Sequence, residues 1–384
     1  MTHAHVTARG TVSNVVGTLR VPTSRTGKPY RTHTCRHTEC ADYIAAWEPL
    51  RPIVPPYTSI AEDSIMDSRF TRRDFMAASA VAGAGLALAG RLDAAPWKTT
   101  LHKAMIGGPG ADVLKAWKAA GFEGVESSNW QASPKQAAAV RKMAESQGMR
   151  IHSVLFGWGN LNGGDAALAD GVAKMETALR AAQGYGADAV LYVPCRIGGM
   201  TMPEAWEFDI RFDEKTGHLN QVVGGDNAKY QKYIQAHDHA VDASRKGVKR
   251  LIPTAEKTGV IISLENVWNN LWVKPDIFTN FIASFNSPWV RAYFDIGNHV
   301  KYAPSQDWIR ALGKLLVKCH VKDFKLKPDG HGGDFCNIRD GSVDWPAVRS
   351  ALDEVGYTGW MTIEGGNLSL QEHGKRLDLI IAGK

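Results

Sequence analysis

Cysteine is scarce in this chain, with five among 384 residues. Three of them, Cys195, Cys319 and Cys336, fall where the sequence is regularly patterned, and two of those sit inside apolar, strand-like runs. So odd and scattered a set excludes a disulfide framework and reads as free thiols packed among apolar side chains. Long apolar runs are missing as well. The most apolar stretch, which follows Arg72-Arg73, carries about 15 small residues, short of the roughly 20 that span a bilayer. Excess charge is also small: of the formal +6, residues 1–65 carry +2 (seven basic against five acidic) and residues 66–95 carry +1 (four against three). The remaining +3 is spread thinly, which excludes the clustered basic face of a nucleic-acid binder and points to a small-molecule substrate. What is present is an ordinary globular composition, 44% hydrophobic and 22% charged, in a chain long enough for a large buried core.

Residues 68–90 read SRFTRRDFMAASAVAGAGLALAG. A twin arginine followed by an uncharged Ala/Gly/Leu stretch reads as a Tat export signal over residues 66–95, with cleavage expected near Ala87-Leu88-Ala89 or at Ala94-Ala95. The expected destination is the periplasm, with the Tat translocase as a transient partner. Met66 reads as the start of that signal. Residues 1–65, rich in Thr, Pro and Arg without periodicity, read as a disordered or wrongly assigned upstream extension. The spacing of His33, Cys35, His37 and Cys40 in it is only superficially that of a metal finger.

From Trp97 onward, short apolar runs alternate with amphipathic stretches, the pattern of βα units on a parallel sheet. The runs predict strands at Leu101–Ile106, Gly124–Ser127, Ile151–Phe156, Ala189–Pro194, Val260–Glu265, Arg291–Ile296, Val317–Lys322 and Trp360–Glu364. Eight is the count for a closed (β/α)8 TIM barrel, here a single α/β domain over residues 97–384. Ser133–Gly148 and Ala166–Gly184 have the spacing of crossover helices, several of which end at a Gly. Two connections are unusually long: Arg196 to Asn227, with the next helix beginning near Ala228, and Lys325 to Val343. Long βα loops lie over the C-terminal face of a barrel and shape its pocket.

Chemistry in such a barrel sits where strands end. The last four predicted strands finish in Leu264-Glu265-Asn266, Phe294-Asp295-Ile296-Gly297-Asn298-His299, Cys319-His320-Val321-Lys322-Asp323 and Ile363-Glu364-Gly365-Gly366. They deliver Glu265, Asp295, His320 and Glu364 to one rim. Charged groups brought together near a core need compensation, and a divalent cation supplies it. Three carboxylates and one imidazole suit one fairly hard ion, Mn2+ first, with Mg2+, Co2+ and Zn2+ as alternatives. Lys322, two residues beyond His320, points to the same side and serves either as a substrate contact or as a salt-bridge partner. Trp130, Phe156, Trp158 and Trp268 are placed to line a pocket or simply to pack. His152, at the start of its strand, reads as structural.

The segments LEN, FDIGNH, CHVKD and IEGG resemble the metal-site segments of the xylose-isomerase-like TIM-barrel superfamily, a resemblance that covers residues 99–384. It implies Glu265, Asp295, His320 and Glu364 as metal ligands, with Glu265 and Glu364 doubling as the acid/base pair of a keto-sugar isomerase or epimerase working through a metal-stabilised enediolate. It puts His299 close to where those epimerases carry a substrate-contacting histidine; Lys322, Trp158 and Trp268 join it as candidate substrate contacts from their positions alone. Two positions depart from the ketose 3-epimerase pattern: the place three beyond Asp295 is Asn298, with His299 one later, and Leu271 stands where those enzymes carry a glutamate. Three other functions share the pattern: a metal-dependent lyase or hydrolase of 3-keto-glycosides, a non-catalytic sugar-binding barrel, and a DNA-repair endonuclease. The last needs histidine ligands from early strands, where Glu126 is the only acidic candidate.

Overall fold

The computed structural model describes residues 97–384 apart from Pro109. The twin-arginine segment and the upstream extension lie outside the described residues. Eight parallel strands, β1 (Leu101–Gly107), β2 (Gly124–Ser127), β3 (Arg150–Trp158), β4 (Ala189–Val193), β5 (Ile261–Glu265), β6 (Val290–Asp295), β7 (Leu316–Val321) and β8 (Gly359–Ile363), pair in sequence order, and β8 pairs with β1 to close the barrel. Each lies within two residues of its sequence-predicted bounds. The crossover helices are α1 (Ala111–Ala119), α2 (Pro134–Glu145), α3 (Asp165–Tyr185), α4 (Gln231–Thr258), α5 (Pro275–Ala283), α6 (Ser305–Leu312), α7 (Trp345–Glu354) and α8 (Leu370–Ile381). A 3-10 turn over Ala228–Tyr230 leads into α4, so the α-helix starts three residues later than its sequence suggests.

Local chemistry sets these boundaries. Ser133 and Gln136 form a reciprocal capping box at the start of α2, with Pro134 at the first helical position. Gly186 and Gly259 end α3 and α4 in the left-handed conformation, at φ 68° and 69°. Strand alternation then sorts the side chains. Leu264, Phe294, Cys319, Val321 and Ile363 face the helices in the main apolar core, while Leu191, Val193 and Tyr293 form a smaller cluster of their own. Cys195, Cys319 and Cys336 are free thiols. No helix among the described residues is long and apolar enough to cross a membrane.

Both long loops carry structure that periodicity did not reveal. The first contains a short antiparallel pair, Arg211–Phe212 with Leu219–Gln221, tied to α4 by Leu219 N–H donating to Asp238 Oδ1 at 2.9 Å. The second opens with a hairpin of Asp323–Leu326 and Gly333–Cys336. Its organiser is Asp323, whose carboxylate accepts from the backbone N–H groups of Phe324, Arg339, Gly341 and Val343 and from the Trp345 indole. The last acid of the CHVKD segment is therefore spent on holding a loop.

Closure of the ring is stapled by Arg349 on α7, which is 1% exposed. Its guanidinium donates to the Thr99 carbonyl and hydroxyl, both at 2.9 Å, and to the Ile381 carbonyl at 3.0 Å, with Asp353 at 3.6 Å. Replacing it strands several buried acceptors together. Arg349→Leu is expected to cost about 3 kcal/mol, read as a lower urea midpoint at an unchanged slope.

Candidate metal centre

Strand register, not sequence proximity, brings the four rim residues together. Asp295 on β6 stands opposite His320 on β7, and Thr362 on β8 stands opposite the same histidine, so Glu364 follows just beyond. Glu265 closes the set from the end of β5, beside Tyr293. One ligand atom from each of Glu265, Asp295, His320 and Glu364 lies within 4.8 Å of the others. The first three are buried and Glu364 is partly open to the barrel mouth.

Two features hold the end of β6 in place. The Asn266 side chain brackets Asp295, accepting from its N–H at 2.6 Å and donating to its carbonyl at 2.8 Å. Past Asp295 the chain turns sharply: Asp295 Oδ1 accepts from the N–H groups of Gly297 and Asn298 at 2.8 and 2.6 Å. Gly297 lies against the backbone of Lys322, where a Cβ would come within 2.7 Å of the carbonyl carbon and oxygen, so no larger residue fits there.

His320 has its two nitrogens in different surroundings. Nε2 is 2.5 Å from Glu126 Oε2, which also accepts from the Tyr293 hydroxyl at 2.9 Å; Glu126 is wholly buried. That pairing turns Nδ1 toward Glu364 Oε2 at 3.3 Å and Glu265 Oε1 at 3.5 Å. Protonated on Nε2 alone, His320 would aim the Nδ1 lone pair at two carboxylates, an arrangement that repels unless a second proton or a cation stands between them. Asp295 Oδ2, His320 Nδ1 and Glu364 Oε2 are buried atoms with no hydrogen-bond partner. Glu364 Oε2 does have the Lys322 ammonium at 2.9 Å, an ion pair without hydrogen-bond direction, and Asp295 Oδ2 has it at 3.8 Å. Three inward-aimed donor atoms and a hard, oxygen-rich set fit a divalent cation.

The ionisation balance is uneven. Burial raises the pKa of both Glu265 and Asp295. Burial also opposes the charged form of Glu364, but Lys322 and His320 beside it hold its carboxyl well below the usual range. For His320, burial is outweighed by the adjacent Glu126 carboxylate, which raises its pKa well above that of a free imidazole. Two carboxylates are thus driven apart in proton affinity.

The other sequence-predicted residues divide. Lys322 reaches the cluster as a salt-bridge partner of Glu364, donates to Asn298 Oδ1 at 3.3 Å and sits over the Phe335 ring. His299 does not join it. The tight turn sends Asn298 inward, with its Nδ2 3.4 Å from Glu265 Oε1, and packs His299 against Trp308 and Tyr302 on the helix side, with Nδ1 accepting from Asn266 at 2.9 Å. Trp268 stands at the rim, its indole N–H donating to the Asn298 carbonyl and its ring stacked on Phe335. Trp158 is 43% exposed at the end of β3, with Arg196 over its ring. Trp130 and Phe156 pack on each other at 4.7 Å, Leu271 is buried, and His152 is paired with Thr362 and stacked on Trp360. Sequence reading missed the roles of Asn266 and Glu126. The signal for Glu126 was available: an acid in the middle of a four-residue, otherwise uncharged strand.

Burial lowers the pKa of His299 to about 3. The folded protein therefore keeps this imidazole neutral while the unfolded chain takes up a proton below about 6.5, so stability is present above that pH and is lost as pH falls toward 3. Between pH 6 and 4, urea titrations should show the wild type losing about 1.4 kcal/mol per pH unit more than His299→Gln; parallel profiles would refute the assignment.

Known structures share this barrel. A D-allulose 3-epimerase from Methylomonas sp. superposes with a TM-score of 0.54 at 16% identity, over 75% of this chain and 99% of that one. A 3-keto-D-glucoside 4-epimerase from E. coli gives 0.53 at 15% identity, over 74% and 100%. A mannonate dehydratase from Streptococcus suis gives 0.53 at 12% identity, over 74% and 94%. Likeness at these identities is likeness of fold. In sequence, the chain is 23% identical over 134 residues to an uncharacterized protein of Methanocaldococcus jannaschii, covering 33% of this chain and 44% of that relative, so it spans less than half the length of the curated relative it matches. Residues 114–377, most of the barrel, match one family as a unit, and the chain belongs to the xylose isomerase-like TIM barrel family.

Proposed function

We propose that this protein is a divalent-metal-dependent isomerase or epimerase of a keto-sugar, with Glu265, Asp295, His320 and Glu364 as ligands and Glu265 and Glu364 as the acid/base pair. The observation that carries the reading is the convergence of those four donors on the ends of successive strands, with three buried atoms lacking hydrogen-bond partners. When bound, the ion supplies Lewis-acid polarisation of a carbonyl and its neighbouring hydroxyl. The chain's own residues handle the proton. Lys322 keeps Glu364 ionised and available as a base, while burial makes Glu265 the readier carboxyl to hold a proton. A proton taken from the carbon beside the carbonyl by one glutamate and returned by the other on the opposite face gives an epimer; return to the adjacent carbon gives an isomer. Asn298, between Glu265 and Lys322, orients both. Epimerases among the fold neighbours support this class, and the 3-keto-glucoside enzyme places keto-glycosides beside free ketoses among the substrates to try. Export is part of the proposal and rests on Arg72-Arg73 and the stretch after them; it would favour unphosphorylated sugars.

The test is metal content by mass spectrometry together with solvent deuterium incorporation into ketoses and 3-keto-glycosides. The wild type should carry about one ion per chain and exchange one carbon-bound proton, and Glu265→Gln should abolish exchange; a wild type that binds no metal refutes the mechanism. Because Glu126 fixes the ring of His320, Glu126→Gln should weaken metal binding by about 10- to 100-fold in a chelator competition. Unchanged affinity in a folded variant would make Glu126 a packing residue only.

A further inference from the structure

Four of the loops on the rim, those after β4, β5, β6 and β7, line a cleft of about 210 Å³ at the end of the barrel that carries the four-residue cluster. Its walls include Trp206 and Phe208 from the first loop, Asn270 from the second, and Lys301 and Tyr302 from the third, with Gly332 of the hairpin closing one side. The cleft is smaller than the roughly 300–1,000 Å³ of pockets for drug-sized ligands and matches a single ring. Aromatic faces stand next to an amide, an ammonium and the Glu204 carboxylate. Lys301 and Glu204 carry opposite charges, so the cleft favours a neutral, hydroxyl-rich group over an ion. At its lip, Trp206 stacks on His331 with centroids 4.1 Å apart, joining the two long loops, and still leaves 45% of its surface exposed.

A run of side-chain contacts leads from the cleft to the carboxylate rim. The Lys301 ammonium lies 3.5 Å over the Trp268 ring, Trp268 stacks on Phe335 at 5.0 Å, and the Lys322 ammonium is 4.8 Å from Phe335 and 2.9 Å from Glu364. Little more than one pair of rings separates the two. We propose that this cleft is an outer subsite for the second, non-reacting ring of the substrate, which makes the substrate a glycoside or disaccharide carrying a keto group and not a free monosaccharide. The proposal rests on reading the four-residue cluster as the reacting site. A pyranose C–H face would stack on Trp206, while Asn270, Lys301 and Glu204 would meet the hydroxyl groups.

Calorimetric titration of the full, Mn2+-loaded chain with cellobiose, maltose and lactulose, set against glucose and fructose, tests this. At least one disaccharide should bind about tenfold more tightly than its monosaccharides, and both Trp206→Ala and His331→Ala should erase that advantage while leaving monosaccharide affinity unchanged. Equal affinity for both sizes of sugar, or an advantage that survives both substitutions, overturns the subsite. Deuterium exchange separates this from the reading beneath it: no exchange with any sugar, alongside an intact disaccharide advantage, would remove the catalytic assignment and leave the subsite standing.

Discussion

Three carboxylates and an imidazole share one corner of a barrel rim only where protons or positive charge offset them, and much of the architecture follows from that constraint. Lys322 supplies part of the charge from within the chain, aimed at Glu364 and Asp295. The rest of the requirement shows as geometry: an imidazole turned by Glu126 so that its second nitrogen faces two acids, and a buried Asp295 Oδ2 without a hydrogen-bond partner. A protein that only needed a stable barrel would fill these positions with apolar side chains at no such cost.

Rigidity around the cluster is built from backbone contacts. Asn266 bridges β5 to β6 with two hydrogen bonds to one residue, and Gly297 lets β6 turn directly against the backbone that follows β7. The strand ends that carry Glu265, Asp295 and His320 are thus locked together through Asn266 and Gly297. Asp323 extends the same economy outward, gathering a whole loop around one carboxylate.

Much of this was legible in the sequence. Short apolar runs located all eight barrel strands, and because a strand's last inward side chain lands on the rim, Glu265, Asp295, His320 and Glu364 followed from strand ends alone. Legibility stopped where alternation stopped. After Asp295 the chain leaves the ladder for a turn, and there a one-residue difference decides that Asn298 faces the acids while His299 goes to the helices. Glu126 was visible as an oddly placed acid, but its partner lies 194 residues away across the barrel, a pairing that no local pattern encodes. The hairpins inside the two long loops were hidden for a related reason, since their strands are only two to four residues long.

The seam between β1 and β8, with the Arg349 staple beside it, also bears on how the chain acquires its shape. The hydrogen bonds from Arg349 to Thr99 join positions 250 residues apart. Until the last βα unit exists, β1 has an unpaired edge and the interior is open to water on one side. A growing chain can assemble half-barrels as it emerges, but the ring is completed only after nearly all of it has been synthesised. The same seam that gives the rim its fixed geometry therefore makes ring closure a late step in assembly, with the edge of β1 open until then.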